Sequence, residues 1–282
     1  MYTLDVAYNR DPVTEILGIL NVTRDSFSDG GRYLDPDAAV EHGLALAADG
    51  ADLVDVGAAS SHPDSEDVPA AEELRRLTPV VGPLVAAGVR VSVDTWRPPV
   101  AARMVELGAE LVNDITGLAD PAMLELGART DVRFIVMHST SAAARAERGA
   151  APAAIVDRIA GFFEERARAA VAAGIDRSRL VLDPGMGFFL GRTPEASLEV
   201  LRELERLGEP GLPLCVSTSR KSFLGELVGR PVAEREAATL ASELWAWTRG
   251  VAMIRTHGVR ALRDGLRVME AIRGPAFERR PG

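Results

Sequence analysis

Polar residues able to hold a charged or hydrogen-bonding ligand recur in this 282-residue chain at the ends of short apolar runs. Asn21 follows the first run and Asp55 closes the second. Asp94, Asn113 and Asp183 stand at the ends of later ones, and Lys221, Arg255 and His257 follow the last two. Lys221 is the sole lysine among 32 basic residues. A composition that writes arginine everywhere else thus keeps one compact ammonium on a flexible stem, which a planar guanidinium cannot imitate. Asp94, Asn113, Asp183 and Lys221 make a set of acceptors and donors suited to an amidine- or guanidine-like heterocycle, whose edge offers paired hydrogen bonds to a carboxylate. Asn21, Arg255 and His257 suit an anion and a metal. A carboxamide oxygen is a hard ligand for Mg2+, while arginine and protonated histidine hold phosphate oxygens. No Cys/His spacing supports zinc.

Any one of these residues alone reads as an Asx turn or a helix N-cap, the usual role of Asp and Asn at a strand end. Polar clusters after every apolar run, with none expected at the opposite ends, exceed what capping predicts. His42 reads as a helix-surface residue, His138 as a strand-end residue and Cys215, inside an apolar run, as packing.

The elements that must position these groups alternate. The apolar runs are Glu15–Leu20, Asp52–Val56, Arg90–Val93, Glu110–Val112, Val132–Met137, Arg179–Leu182, Leu212–Val216 and Ala252–Ile254. Between and after them, helical spacing covers about 36–49, 69–87, 97–107, 120–129, 151–173, 194–207, 220–249 and 259–273, with Gly88, Gly108 and Gly174 at expected helix ends. Eight strand–helix units with no linker predict a single-domain (β/α)8 TIM barrel over 1–282, with a short N-terminal extension and a frayed tail after 273. A doubly wound sheet is the competitor, but the Gly-rich dinucleotide turn it should carry after an early strand is absent.

A hydrophobic share of 47% is ample for a large core. The formal charge of −9 argues against general affinity for nucleic acid or anionic membrane, so a bound anion must meet a local cluster. No run approaches the ~18 apolar residues of a membrane span. The polar N-terminus reads as no signal peptide, and one cysteine excludes a disulfide scaffold; a cytoplasmic location is expected.

The loop Asn21–Gly31 and the segment Ser219-Arg220-Lys221-Ser222-Phe223 are close to the two signature segments of dihydropteroate synthases, the pterin-binding barrels of folate biosynthesis. Asp94-Thr95, Asn113-Asp114, Asp183-Pro184-Gly185 and Arg255-Thr256-His257 fall in that family's order, and the resemblance runs from about Gly18 to beyond Arg267. It implies a transferase joining 6-hydroxymethyl-7,8-dihydropterin pyrophosphate to p-aminobenzoate. The resemblance places the pterin with Asp94, Asn113, Asp183 and Lys221, with Asp55 nearby. It places pyrophosphate and Mg2+ with Asn21, Arg255 and His257, and p-aminobenzoate with Ser61, His62, Pro63, Phe188, Phe189, Lys221 and Ser222. A homodimer through helices at the far end of the barrel is also implied.

The chain departs from the common family pattern around p-aminobenzoate. Arg24 replaces a usual proline, and Gly57–Asp64 reads Gly-Ala-Ala-Ser-Ser-His-Pro-Asp where Gly-Gly-Glu-Ser-Thr-Arg-Pro-Gly is usual. The Met-Gln-Gly that often follows the fifth-strand histidine is missing. The stretch Phe188–Arg192 is longer than usual. As a set these changes resemble the sulfonamide-resistance dihydropteroate synthases, and low sulfonamide sensitivity is expected, with Phe189 as the gate. Two other functions compete: a pterin-binding paralogue without synthase activity, and the pterin module of corrinoid methyltransferases. The first needs no leaving-group clamp such as Arg255, His257 and Lys221. The second expects a cobalamin partner.

Overall fold

Residues 14–23, 35–59, 68–140, 154–191, 193–208 and 211–274 are described by the computed structural model. Eight strands alternate with helices: β1 (Glu15–Asn21), β2 (Leu53–Gly57), β3 (Val91–Asp94), β4 (Leu111–Asp114), β5 (Arg133–Met137), β6 (Leu180–Asp183), β7 (Cys215–Val216) and β8 (Met253–Thr256). The helices are α1 (Pro36–Ala48), α2 (Ala70–Ala86), α3 (Pro98–Glu106), α4 (Pro121–Arg129), α5 (Ile155–Ala172), α6 (Pro194–Arg202), α7 (Leu204–Leu207), α8 (Ser222–Val228), α9 (Glu236–Thr248) and α10 (Val259–Arg273). All pairings are parallel, in the order β6-β5-β4-β3-β2-β1-β8-β7. The seam between the outer two is closed by a bridge from Leu182 to Leu214, with Leu182 N–H donating to Pro213 O at 2.8 Å. The expected (β/α)8 barrel forms.

Local chemistry sets the helix starts. Asp35 and Asp120 accept from the backbone N–H of Asp37 and Ala122, and a proline fills the first position of α1 and α4, where its missing N–H costs nothing. Gly88, Gly108 and Gly174 follow α2, α3 and α5 with φ of 80°, 103° and 97°, the backbone expected of residues that end a helix.

The strand pleat then decides what lies inside. Leu17, Leu53, Leu111, Ile135, Val181, Cys215 and Met253 make one buried apolar ring within the barrel. Side chains alternate faces along a strand, so the next inward residues stand two positions further on. In β2, β4, β6 and β8 those residues are Asp55, Asn113, Asp183 and Arg255. The polar mouth therefore rests directly on the apolar ring, one pleat above it. The larger apolar cluster, including Phe134, Phe163, Leu77 and Leu84, packs the helices against the outside of the barrel.

Three expectations are corrected. The seventh strand was to run from Leu212, but only Cys215 and Val216 pair as a strand, because Pro213 has no N–H to give to a ladder. The helix expected over 220–249 divides into α8, a 3-10 turn at Val232–Glu234 and α9; Gly229 at φ 65° ends the first piece and Pro231 follows. The far mouth of the barrel also carries a polar cluster. Glu15 pairs with Arg133 at 2.9 Å and with Arg90 at 3.1 Å, and Arg90 reaches Glu110 at 2.8 Å. These groups are partly exposed, so this is a solvated closure worth little in stability.

Candidate active site

Arg255 organises the mouth. Its Nε donates to Asp55 Oδ2 at 2.5 Å and its Nη2 to Asp94 Oδ2 at 2.8 Å. Asp55 is fully buried and also accepts from Ser92 Oγ at 2.5 Å and Asn113 Nδ2 at 3.4 Å. Its carboxylate is thus occupied from three sides and does not line the cleft. Asp55 acts through Arg255 and Asn113.

The cleft beside this network holds about 350 Å³ of empty space, its open mouth included. One wall is polar: Asp94, Asn113, Asp183, Ser217, Lys221 and Arg255. The other is apolar, with Ile115, Met137 and Phe189 buried as a cluster against which Trp96 and Phe188 pack. Asn113 Oδ1 and Ser217 Oγ are buried and have no hydrogen-bond partner among the described residues. Buried polar atoms normally find a partner, so both are suited to a ligand in the cleft. One polar and one apolar wall suit a flat ligand with a hydrogen-bonding edge.

Charge in the cleft is tuned by burial. Burial pushes Asp94 up to about 7, reinforced by Asp55 and Glu73 and opposed by Arg255 and Lys221. It raises Asp183 to about 6 against the Gly185 N–H and the Lys221 and Arg255 charges. Burial and the Arg255 charge bring Lys221 down to about 8, while Asp183 and Asp94 oppose them. Asp183 Oδ1 accepts from Gly185 N–H at 2.7 Å. Gly185 has φ 69°, and a Cβ there would lie 2.4 Å from His138 O, so the turn after β6 admits only glycine. His138 itself lies behind the cleft, with Nδ1 3.3 Å from Pro184 O.

Two segments meet over Lys221. A 3-10 turn at Gly187–Phe189 puts the Phe189 ring 4.9 Å from Lys221 Nζ, and a Cβ on Gly187 would lie 3.4 Å from Ser222 Oγ. Phe189 is 6% exposed and in the cleft wall, whereas Phe188 is only partly buried behind it. The loop before Lys221 is bent sharply, with Arg220 at φ 58°, a costly conformation for a residue with a side chain. Arg235 holds it there. Its guanidinium donates to Arg220 O at 3.0 Å and Lys221 O at 3.3 Å, and occupies the space that a Cβ on Gly225 would need.

His257 follows β8 and is joined to Ser219. Burial, with the charges of Arg220, Arg255 and Lys221, holds its imidazole well below the ordinary value. The direction favours the neutral imidazole, where the residue types alone had suggested a protonated one. Asn21 ends β1, in register with Gly57 of β2, which is in turn opposite Asp94 of β3. The fold thus brings Asn21, Asp55, Asp94, Asn113, Asp183, Lys221, Ser222, Arg255, His257, Phe188 and Phe189 to one end of the barrel. Ser61, His62, Pro63 and Arg24 lie outside the described residues.

Several residues here were not singled out by sequence. Ser92 carried a usable signal, since it lies two residues before Asp94 and so on the same face. Ile115 and Met137 look like ordinary core. Arg235 acts through neighbours far away in the chain. Glu243 is 1% exposed, and burial raises it to about 8 against a hydrogen bond with Thr256.

Comparison with known proteins agrees with this geometry. The family described as pterin binding enzyme matches residues 17–257. Dihydropteroate synthase type-2 of Escherichia coli is 48% identical over 93% of this chain and 97% of its own. The Xanthomonas albilineans dihydropteroate synthase solved with 4-aminobenzoic acid superposes with a TM-score of 0.86 at 40% identity, covering 93% of this chain and 94% of that one. Its complex with 7,8-dihydropteroate gives 0.82 at 39%, covering 93% and 95%. Fold and mouth together define the class as a pterin-binding enzyme. More narrowly, the chain belongs to the dihydropteroate synthase family.

Proposed function

We propose that this transferase of folate biosynthesis condenses 6-hydroxymethyl-7,8-dihydropterin pyrophosphate with p-aminobenzoate, giving 7,8-dihydropteroate and pyrophosphate. The observation that carries the reading is the two-sided cleft. Asp94, Asn113, Asp183 and Lys221 line a polar wall opposite Ile115, Met137 and Phe189. The pterin edge meets the polar wall, where Asn113 Oδ1 and Ser217 Oγ gain partners.

The chemistry is a displacement at the pterin methylene. The arylamine nitrogen forms the new C–N bond as the C–O bond to pyrophosphate breaks, and the amine proton passes to solvent. The protein supplies position and charge, with no covalent intermediate. Arg255 stands where negative charge collects on the leaving group, already held rigid by Asp55 and Asp94. Lys221 spans the pterin and the aryl ring, and with Ser222, Phe188 and Phe189 it forms the described part of the p-aminobenzoate side; the assignment of Ser61, His62 and Pro63 to that ligand rests on the sequence resemblance alone. Asn21 suits Mg2+, because its carboxamide offers one hard oxygen to an ion that keeps waters and takes further oxygens from a substrate phosphate. Among the described residues no group of three or more His, Cys, Asp or Glu forms a cage for an ion. When bound, the ion would neutralise charge on the departing pyrophosphate.

Low sulfonamide sensitivity follows from Phe189 in the cleft wall: a clash against extra bulk beyond the carboxylate selects better than a tighter grip on the substrate. A homodimer is proposed from the exposed apolar side chains of α9 and α10, among them Trp245, Val268 and Ile272. No helix among the described residues is long and apolar enough to cross a membrane.

Chromatography of the reaction of purified chain with both substrates and Mg2+ tests this function. A pteroate product supports it. Pterin binding without product would make the chain a binding paralogue.

A further inference from the structure

One hydroxyl joins the ends of the last two strands. β7 and β8 pair Cys215 with Met253 and Val216 with Ile254, and the same offset carries on to Ser219 and His257. Ser219 Oγ accepts the backbone N–H of His257 at 3.1 Å and lies 2.9 Å from His257 Nδ1. Ser219 is 5% exposed.

The arrangement favours one position for the imidazole proton. A main-chain N–H can only donate, so one lone pair of Ser219 Oγ is committed to it. A serine hydroxyl has a single proton, and a neutral imidazole has one donor nitrogen and one acceptor. If Ser219 gives its proton to Nδ1, the hydroxyl both accepts and donates, and the ring carries its proton on Nε2. The other tautomer would aim two N–H groups at one oxygen and turn the hydroxyl proton away from both.

We propose that Ser219 is a positioning residue that fixes His257 as the Nε2–H tautomer, so that the ring presents an uncharged hydrogen-bond donor to the departing pyrophosphate. This rests on the reading that His257 meets that anion. A neutral donor complements the fixed charge of Arg255: it stabilises the leaving group without competing for the carboxylates that hold Arg255. His257 transfers no proton in the step.

The test uses full-length protein with 15N-labelled histidine. There are four histidines, and a His257→Gln variant assigns the relevant signals. Long-range 1H–15N spectra read the tautomer directly. The parent should show His257 with unprotonated Nδ1 and protonated Nε2. Ser219→Thr, which keeps the hydroxyl, should retain that pattern. Ser219→Ala should lose it to a mixture, with kcat falling by about ten- to a hundredfold, less than the about hundred- to thousandfold cost of losing a preorganised donor outright because part of the mixture keeps the donating tautomer, and KM for p-aminobenzoate changed less than about twofold. A protonated Nδ1 in the parent, or an unchanged tautomer in Ser219→Ala, overturns the proposal. Added pyrophosphate should shift the Nε2 signal. If the tautomer is as stated but pyrophosphate leaves Nε2 unmoved, donation to the anion is overturned and the fault lies in the anion reading, separately from the tautomer.

Discussion

Asp55 and Arg255 form a buried pair at 2.5 Å between β2 and β8, and the other edge of the same guanidinium reaches Asp94 at 2.8 Å. Two carboxylates thus share one cation at the polar wall of the cleft. Removing one partner of a buried pair leaves an uncompensated charge, which typically costs about 3–5 kcal/mol. Asp55→Ala should lose stability of that order in urea unfolding and lower turnover through a mobile Arg255. Asp55→Asn, which keeps acceptor geometry for Arg255 and Ser92, should lose less. Equal stability of the alanine variant and the parent would remove Asp55 from this role.

Activity should peak between two ionisations. Asp183 at about 6 and Asp94 at about 7 must lose their protons to accept hydrogen bonds as carboxylates, and Lys221 at about 8 must keep its own. The kcat/KM profile for the pterin substrate should therefore rise through about pH 6–7 and fall above about pH 8. Stability responds too. Both aspartates have folded pKa values above their unfolded ones, so the folded protein holds these protons longer. Their contribution is full below about pH 4 and is lost as pH rises through about 6–7. Asp183→Asn should flatten that part of the stability curve in unfolding measurements across pH. A steeper curve in the variant would reverse the assignment.

Lys221→Arg should lose about 2–4 kcal/mol of transition-state stabilisation in kcat/KM, the scale for one preorganised donor. The charge is kept, so the loss reports shape: Lys221 Nζ sits 4.9 Å from the Phe189 ring, where a planar fork meets the wall. Near-normal turnover would return the single lysine to compositional accident.

Deleting Phe189-Leu190 should raise sulfonamide inhibition while changing KM for p-aminobenzoate far less. Inhibition constants for parent and variant check this. Strong and equal inhibition of both proteins would end the gating idea.

What could be read from sequence follows from periodicity. Asp55, Asn113, Asp183 and Arg255 each close a β-run, so the pleat alone placed them at one end of a barrel. The lone lysine stood out by composition. The depressed basicity of His257 was hidden, because it arises from burial and from the charges of Arg220, Arg255 and Lys221. Arg235 was hidden as well: its grip on the Arg220–Lys221 backbone depends on α9 returning across Gly225. The ion pairs of Glu15 at the far mouth escaped for a similar reason, since Arg90 and Arg133 reach it only after the barrel closes. Burial and contacts between distant segments are set by tertiary packing, and no local spacing encodes them.

The most direct test of the central claim is the initial rate of pyrophosphate release from the pterin substrate, with and without p-aminobenzoate, in the parent and in Asp183→Asn. The cleft described here predicts release that requires p-aminobenzoate, matches dihydropteroate one for one, and is largely lost in the variant. Release independent of p-aminobenzoate, or binding of the pterin with no release, would contradict it.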